Sequence, residues 1–370
     1  MKFSCEKTQL LAAITVSGKV ASSKSTVAAL EGLLLDAGEM LSITGYDLKT
    51  GIQTKVAAEI AIPGKIVLNA RLFGEIIRKL PEDVVSIEVD DNHMANITCG
   101  QSKFHVMGIP AEDYPALPIV DEENSFYMPQ KTLKQMIAQT IFAISDNESR
   151  PIHTGSLFEV EDNMLTIVSV DGYRLALRKE TLEQIELSEK SFVVPGTALN
   201  EVEKIATDSE DELKISIDSK HILFTIGDII VVSRRLEGEF LNYKQAIPQT
   251  NKIALTVDKR LFINAVDRVS LMISEKLKSP VRCLFLDGKV ELHTNTALGK
   301  ANDMFGVKGD GENLEIGFNH RFLLEALKAT PTDEITISLG TSVSPCVIHA
   351  VDGSDAFTYL VLPVRLQAGA

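Results

Sequence analysis

The chain has 370 residues, 45% of them hydrophobic and 24% charged, with a formal net charge of -14 at pH 7. That length suggests two or three domains of ordinary folded composition. An acidic total excludes a protein coated in cations for nucleic acid, though not a local basic face on an acidic body.

The first third opens on "KFSCEKTQLLAAITVSGKV" (2–20), an extended run leading into an apolar-periodic helix. Next comes "LEGLLLDAGEMLSITGYDL" (30–48), which reads as a hairpin with its turn at Asp36–Glu39. "KIVLNARLFGEIIRKLPEDVVSIEV" (65–89) reads as strand, short helix, acidic turn and strand, with Val85, Ile87 and Val89 alternating. The same order returns from Ser125 in "SFYMPQKTLKQMIAQTIFAIS", "GSLFEVEDNMLTIVSVDGYRLAL" (turn Glu161–Asn163) and "SFVVPGTALNEVEKIATDSEDELKISI". It returns again from Lys252 in "KIALTVDKRLFINAVDRVSLMIS", "SPVRCLFLDGKVELHTNTALGKA" (turn Asp287–Gly288) and "LEIGFNHRFLLEALKATPTDEITISL". Leu10, Leu133 and Leu261 are read as equivalent, as are Phe73, Leu199 and Phe322. The fold class is therefore α+β: three copies of one domain, each with two helices on antiparallel sheet. Polar seams near Asp121–Ser125 and Pro248–Lys252 predict domains 1–122, 123–249 and 250–370.

The six predicted helices carry a summed formal charge of +6 on the spans 7–20, 70–80, 131–145, 198–208, 258–273 and 319–329, against -14 for the whole chain. Span 198–208 runs against the trend at -2. Charge alone leaves two readings open: a helix-lined surface facing a polyanion, or the ordinary helix preference of Lys and Arg. A phosphate contact of this kind would be blind to sequence. With no Trp and no aromatic ladder, duplex is a better ligand than single strand.

Catalytic patterns are missing: there is no GxSxG, HExxH, Walker A or GxGxxG. "GDGEN" (309–313) and the acids at Val89–Asp91 read as turns. His153 and His320 have no nucleophile beside them. Cys5, Cys99, Cys283 and Cys346 are scattered and read as free thiols, and no spacing suits zinc. No metal or other cofactor is expected. No apolar run is long enough to span a bilayer, and the N-terminus lacks a signal peptide's basic head and apolar body, so no membrane partner and a cytoplasmic location are expected. "SVDGYRLALRK" (169–179) places a turn at Asp171-Gly172, with Tyr173 and Arg174 at its edge and Leu175-Ala176 resuming a strand. "TYLVLPVRL" (358–366) reads as a last strand, at a sheet edge, broken by Pro363.

Several motifs in order carry a family resemblance. They are "MKF", Thr44-Gly45-Tyr46-Asp47-Leu48, Pro110-Ala111-Glu112-Asp113-Tyr114-Pro115, Glu148-Ser149-Arg150-Pro151 and Asp171-Gly172-Tyr173-Arg174-Leu175-Ala176. Ser233-Arg234 with Glu237-Gly238-Glu239-Phe240, Phe318-Asn319 and Leu362-Pro363-Val364-Arg365-Leu366 follow. Together, from Met1 to about Leu366, the chain resembles the bacterial DNA polymerase III beta subunit, the replicative sliding clamp. The resemblance implies a head-to-tail homodimer closed into a six-domain ring, helices lining the hole, and no enzymatic activity of its own. The ring would encircle double-stranded DNA, slide without reading sequence, and act as processivity factor for the DNA polymerase III alpha subunit. A clamp loader, repair polymerases and mismatch-repair proteins would be further partners.

By position, the resemblance places a partner-peptide pocket at His153, Val170, Gly172, Tyr173, Arg174, Leu175, Leu241, Pro345, Leu360, Leu362, Pro363, Val364 and Arg365. It places Lys24 and Asn147 to Arg150 near DNA, and helix charge adds Arg71, Arg78, Lys79, Lys131 and Lys134. At the ring joint, Phe104 and Val106 would meet Leu271 and Met272 of the neighbour. The chain departs from the family's usual pattern at Leu241-Asn242, where Pro-Asp is common, at Val27–Leu30, which lacks a proline, and in a tail, Gln367–Ala370, beyond the usual end.

Overall fold

The computed structural model describes residues 1–22, 24–183, 185, 187–248, 250–274 and 279–366. The tail Gln367–Ala370, and Gln249 within the second expected seam, lie outside them. Helices run α1 (Lys7–Ser17), α2 (Ala70–Lys79), α3 (Gln130–Ala138), α4 (Gly196–Ile205), α5 (Tyr243–Ala246), α6 (Lys259–Ser270) and α7 (His320–Ala329). Six of these match the predicted ones; α5 is a single turn.

The three copies share backbone detail that composition does not reveal. In each, the first N–H of the first helix donates to a carbonyl in the acidic turn: Lys7 to Asp83 at 3.2 Å, Gln130 to Asp211 at 2.9 Å, Lys259 to Asp333 at 2.8 Å. A helix leaves its first N–H groups without internal partners, and the acidic turn supplies one. Side-chain caps start α2, α6 and α7: Asn69 accepts from Leu72 N, Asp258 from Leu261 N and Asn319 from Arg321 N, each at 3.0 Å.

Counting from these caps corrects two equivalences. The fourth residue after the cap position is the buried anchor, so Phe262, not Leu261, matches Leu10 and Leu133; Leu261 is 47% exposed. Likewise Leu323, not Phe322, matches Phe73 and Leu199. In both places two large apolar residues are adjacent, and the helical phase sends only the second one inward.

One compact unit holds residues 1–134, 186–188 and 197–235. It contains a five-stranded sheet ending at strand Ser102–Met107, and an eight-stranded sheet. In the larger sheet, strand Thr50–Val56 of the first third pairs antiparallel with Ile229–Arg234 of the second, Thr50 facing Ser233. Strand Leu41–Tyr46 passes beneath the end of α1, where Ser17 Oγ donates to Ile43 O at 2.8 Å.

The other unit holds residues 135–185, 189–196 and 236–370 and contains a ten-stranded sheet. Here Arg174–Thr181 pairs with Phe357–Val361, Arg174 facing Val361. The strand of "TYLVLPVRL" therefore lies inside the sheet, between 174–181 and Cys346–Ala350, and not at an edge as its proline suggested. Pro363 falls just beyond the paired residues and costs no ladder bond. The expected turn at Asp287–Gly288 lies within strand Val281–Thr296, where Gly288 has φ +69° and the ladder to Gly299–Phe318 breaks register on both sides of Asp287. All four cysteines are free and buried.

Candidate functional site

The stretch 170–175 builds the site from its turn outward. Asp171 Oδ1 accepts from Tyr173 N at 2.8 Å and Arg174 N at 3.0 Å, and Gly172 takes φ +91°, a conformation that favours glycine. The turn aims Tyr173 outward, 64% exposed, with its ring stacked on Phe322 at a centroid distance of 6.0 Å. It aims Arg174 inward. The Arg174 side chain is only 10% exposed; its Nε donates to Asp171 Oδ2 at 2.9 Å and its Nη1 to Glu325. The guanidinium lies 4.5 Å from the Phe322 ring centroid and 5.5 Å from that of Phe142. Burial lowers the Arg174 pKa, and the Asp171 carboxylate opposes that shift. The guanidinium is thus committed to groups within its own chain.

Around this turn the expected pocket residues fall into two groups. Leu175 pairs with Leu360 across the sheet, and both join an apolar cluster with Leu157, Leu177, Val347 and Tyr243. Leu362 donates its N–H to Tyr173 O at 2.9 Å and keeps an exposed side chain; Val364 donates to Gly317 O at 2.8 Å. Pro363 is half-buried, Arg365 exposed, and Pro345 directly precedes Cys346, which pairs with Val361. Val170 is buried, so it supports the site from below. The second group, His153 and Leu241, lines a cavity of about 450 Å³ with Arg150, Ile152, Glu239, Phe240 and Asn242. Ile152 and Phe240 also pack on the cluster containing Leu175 and Leu360, which links the two groups. Phe142, Phe322, Glu325, Ile152 and Phe240 were not foreseen. The available signal was Arg174 itself, a cation on an otherwise apolar strand that needs carboxylates nearby.

His153 packs edge-on against Phe240, ring centroids 5.4 Å apart. Burial, helped by the Arg150 charge, lowers its pKa below the usual value. The folded protein therefore favours the neutral ring, and this contribution to stability is lost as pH falls below the ordinary histidine range near ~6.5. A proton-NMR titration is expected to place the His153 midpoint below that of a denatured control, with Arg150→Ala moving it up. A midpoint at or above the control contradicts this.

The expected DNA-facing cations are exposed or half-buried. Arg71 pairs with Glu75 at 3.2 Å, Lys131 with Glu210 at 3.0 Å and Lys134 with Asp208 at 3.1 Å. Lys24, Arg78, Lys79 and Arg150 are exposed, as is Asn147, whose Oδ1 accepts from Ser149 N. Arg71, Arg78 and Lys19 share a groove of about 450 Å³ between α1 and α2 with Glu31 and Glu75. Among the residues expected at the ring joint, Phe104 and Leu271 are exposed and Met272 half-buried. Val106 is buried in the core of its own unit, and Met107 is the exposed neighbour on that strand. Among the described residues no group of three His, Cys, Asp or Glu side chains could hold a metal, and no helix is long and apolar enough to cross a membrane.

Three copies of one α+β domain, joined by shared antiparallel sheets, define a clamp-type protein. The chain matches the N-terminal (1–118), central (127–242) and C-terminal (244–365) domain models of the DNA polymerase III beta subunit. It is 35% identical to the beta sliding clamp of Halalkalibacterium halodurans over 361 residues, covering 94% of this chain and 95% of that one. It is 33% identical to the beta sliding clamp of Bacillus subtilis, covering 99% and 100%. Among solved structures, the sliding clamp of Bacillus subtilis superposes with TM-score 0.95 at 33% identity, covering 99% and 100%. The clamp of Pseudomonas aeruginosa bound to griselimycin superposes with TM-score 0.93 at 28% identity, with the same coverage. The chain belongs to the DNA polymerase III beta subunit family, the beta sliding clamps.

Proposed function

We propose that this chain forms a head-to-tail homodimeric ring that encircles double-stranded DNA. It would slide without reading sequence, tether the DNA polymerase III alpha subunit as a non-catalytic processivity factor, and work in the cytoplasm with no cofactor. Its domains would be 1–122, 123–249 and 250–370.

The observation that carries the ring is the repeated join between thirds. At both internal joins, the third strand of one domain's first sheet pairs with the last strand of the next domain. The register is the same: Thr50 faces Ser233, and Arg174 faces Val361. The next N–H donates to the same kind of carbonyl, Arg234 to Lys49 O at 2.8 Å and Leu362 to Tyr173 O at 2.9 Å. One strand of each kind is left over: Ser102–Met107, an edge strand, and the start of Gly299–Phe318. The same register would set Val106 against Gly299 of a second copy, a heterologous contact that closes when rotation permits. It also supports Phe104 meeting Leu271: their counterparts, Tyr359 and Phe142, pack edge to face at 5.5 Å.

Basic side chains on the helices favour loose, sequence-blind phosphate contact, with Lys24, Arg78, Lys79, Asn147 and Arg150 better placed than the paired Arg71, Lys131 and Lys134. Clients would present a short extended peptide to the surface bearing Tyr173, Leu362, His153 and Leu241. The clamp loader, repair polymerases and mismatch-repair proteins would compete for it. The deciding experiment loads the protein on circular plasmid and then linearises half of the sample. Retention on the circle with loss from the linear form is expected; equal loss from both overturns the reading.

A further inference from the structure

We propose that two copies of the chain meet through Leu72 of one and Leu298 of the other, at a joint lacking the ion pair that both internal joins carry. This rests on the head-to-tail reading above and names its chemistry.

Each internal join is bolted by a glutamate at one position of a domain's second helix. Glu201 on α4 forms an ion pair with Lys19 at 3.3 Å, and Glu325 on α7 accepts from Arg174. The helix caps place Glu75 of α2 at the same position, six residues after Asn69 as Glu325 is six after Asn319. Glu75 pairs with Arg71 of its own helix, an exposed i,i+4 pair. The copy that would face it offers no cation at either matching place. Leu271 stands nine residues after the anchor Phe262, as Lys19 stands nine after Leu10. Gly299 stands where Arg174 does, the residue facing the neighbouring last strand.

Apolar side chains occupy the remaining positions. Leu72 lies three residues after its cap Asn69, as Phe322 does after Asn319. Leu298 is the second residue of its turn, its N–H donating to Thr296 Oγ1 at 3.1 Å, as Tyr173 N donates to Asp171. Leu72 and Leu298 thus stand for Phe322 and Tyr173, which stack at the second internal join. They are 46% and 67% exposed in the single chain, and Leu271 is 77% exposed. These leucines are costly to leave in water unless a second copy covers them.

The test is the dimer dissociation constant, read by sedimentation or by dilution of a fluorescent protein. Between about 0.05 and about 0.5 M NaCl weakening of less than about tenfold is expected, because the joint lacks the glutamate ion pair that salt would screen; weakening by more than about tenfold overturns the unbolted joint. Leu72→Lys and Leu298→Glu alone are each expected to weaken the dimer at least about tenfold, and the double variant to recover most of that loss. Singles that weaken without recovery in the double overturn the pairing. Singles without effect, while Leu271→Asp yields monomer, overturn it too but leave the ring reading standing. An intact dimer in Leu271→Asp sinks the ring reading itself. All these side chains are exposed, so each variant's chain is expected to stay folded, with the parent's far-ultraviolet circular dichroism at the temperature of the binding measurement.

Discussion

Arg174→Ala is expected to destabilise its unit by about 3 kcal/mol, read as a drop in the urea midpoint of that unit's transition. The side chain holds Asp171, whose side chain is only 11% exposed, and Glu325 together, and lies on two aromatic rings. Removing it leaves the nearly buried Asp171 with only its backbone donors and the partly buried Glu325 with only the exposed Arg321 at 3.3 Å, and empties the space between Phe142 and Phe322. Glu325 is 31% exposed, so water offsets part of the loss and the figure belongs at the lower end of the range for broken buried pairs. Arg174→Lys should recover little, because one ammonium cannot serve both acids and stack as a planar guanidinium does. Unchanged stability in Arg174→Ala would mean that the network contributes nothing. Client affinity should also fall, through Tyr173, whose stacking partner Phe322 loses its support.

Gly45→Ala is expected to cost about 3 kcal/mol, by forcing the end of α1 off the sheet. A Cβ at Gly45 would stand 2.0 Å from the carbonyl oxygen of Ser17, and that atom is backbone. No side-chain rotation relieves the clash, and moving the carbonyl also disturbs the Ser17 to Ile43 hydrogen bond. Gly18→Ala, one residue beyond Ser17, is the matched control: nothing lies within 4 Å of its added carbon, so its melting temperature should stay near the parent's. Equal thermal stability for Gly45→Ala and the parent would show that the close approach is not maintained in solution.

Helices and repeats were legible in the sequence because caps, apolar spacing and acidic turns are local signals. The one-residue slips at Leu261 and Phe322 came from pairs of adjacent apolar residues, where only three-dimensional phase decides which is buried. The last strand was misplaced for a related reason. Pro363 signals a ladder's end but not which side of the strand is covered, and the partner 174–181 lies far away in sequence. At the site, the turn Asp171-Gly172 was readable from its residue types. The inward aim of Arg174 was not, since Glu325 is 151 residues away. Val106 shows the same limit: alternation places Phe104 and Val106 on one face, yet the strand's position in its sheet buries one and leaves the other exposed.

The four thiols turn the native chain into its own clock. Cys5 and Cys99 sit in the first third, Cys283 and Cys346 in the last, and the middle third has none. Burial pushes the Cys5 thiol up to about 11 and Cys346 up to about 12, and raises Cys283 as well. Such groups are inert to maleimides until the structure around them opens. Labelling rates, resolved by mass spectrometry, would therefore time the breathing of each end of the chain separately, with no engineered probe.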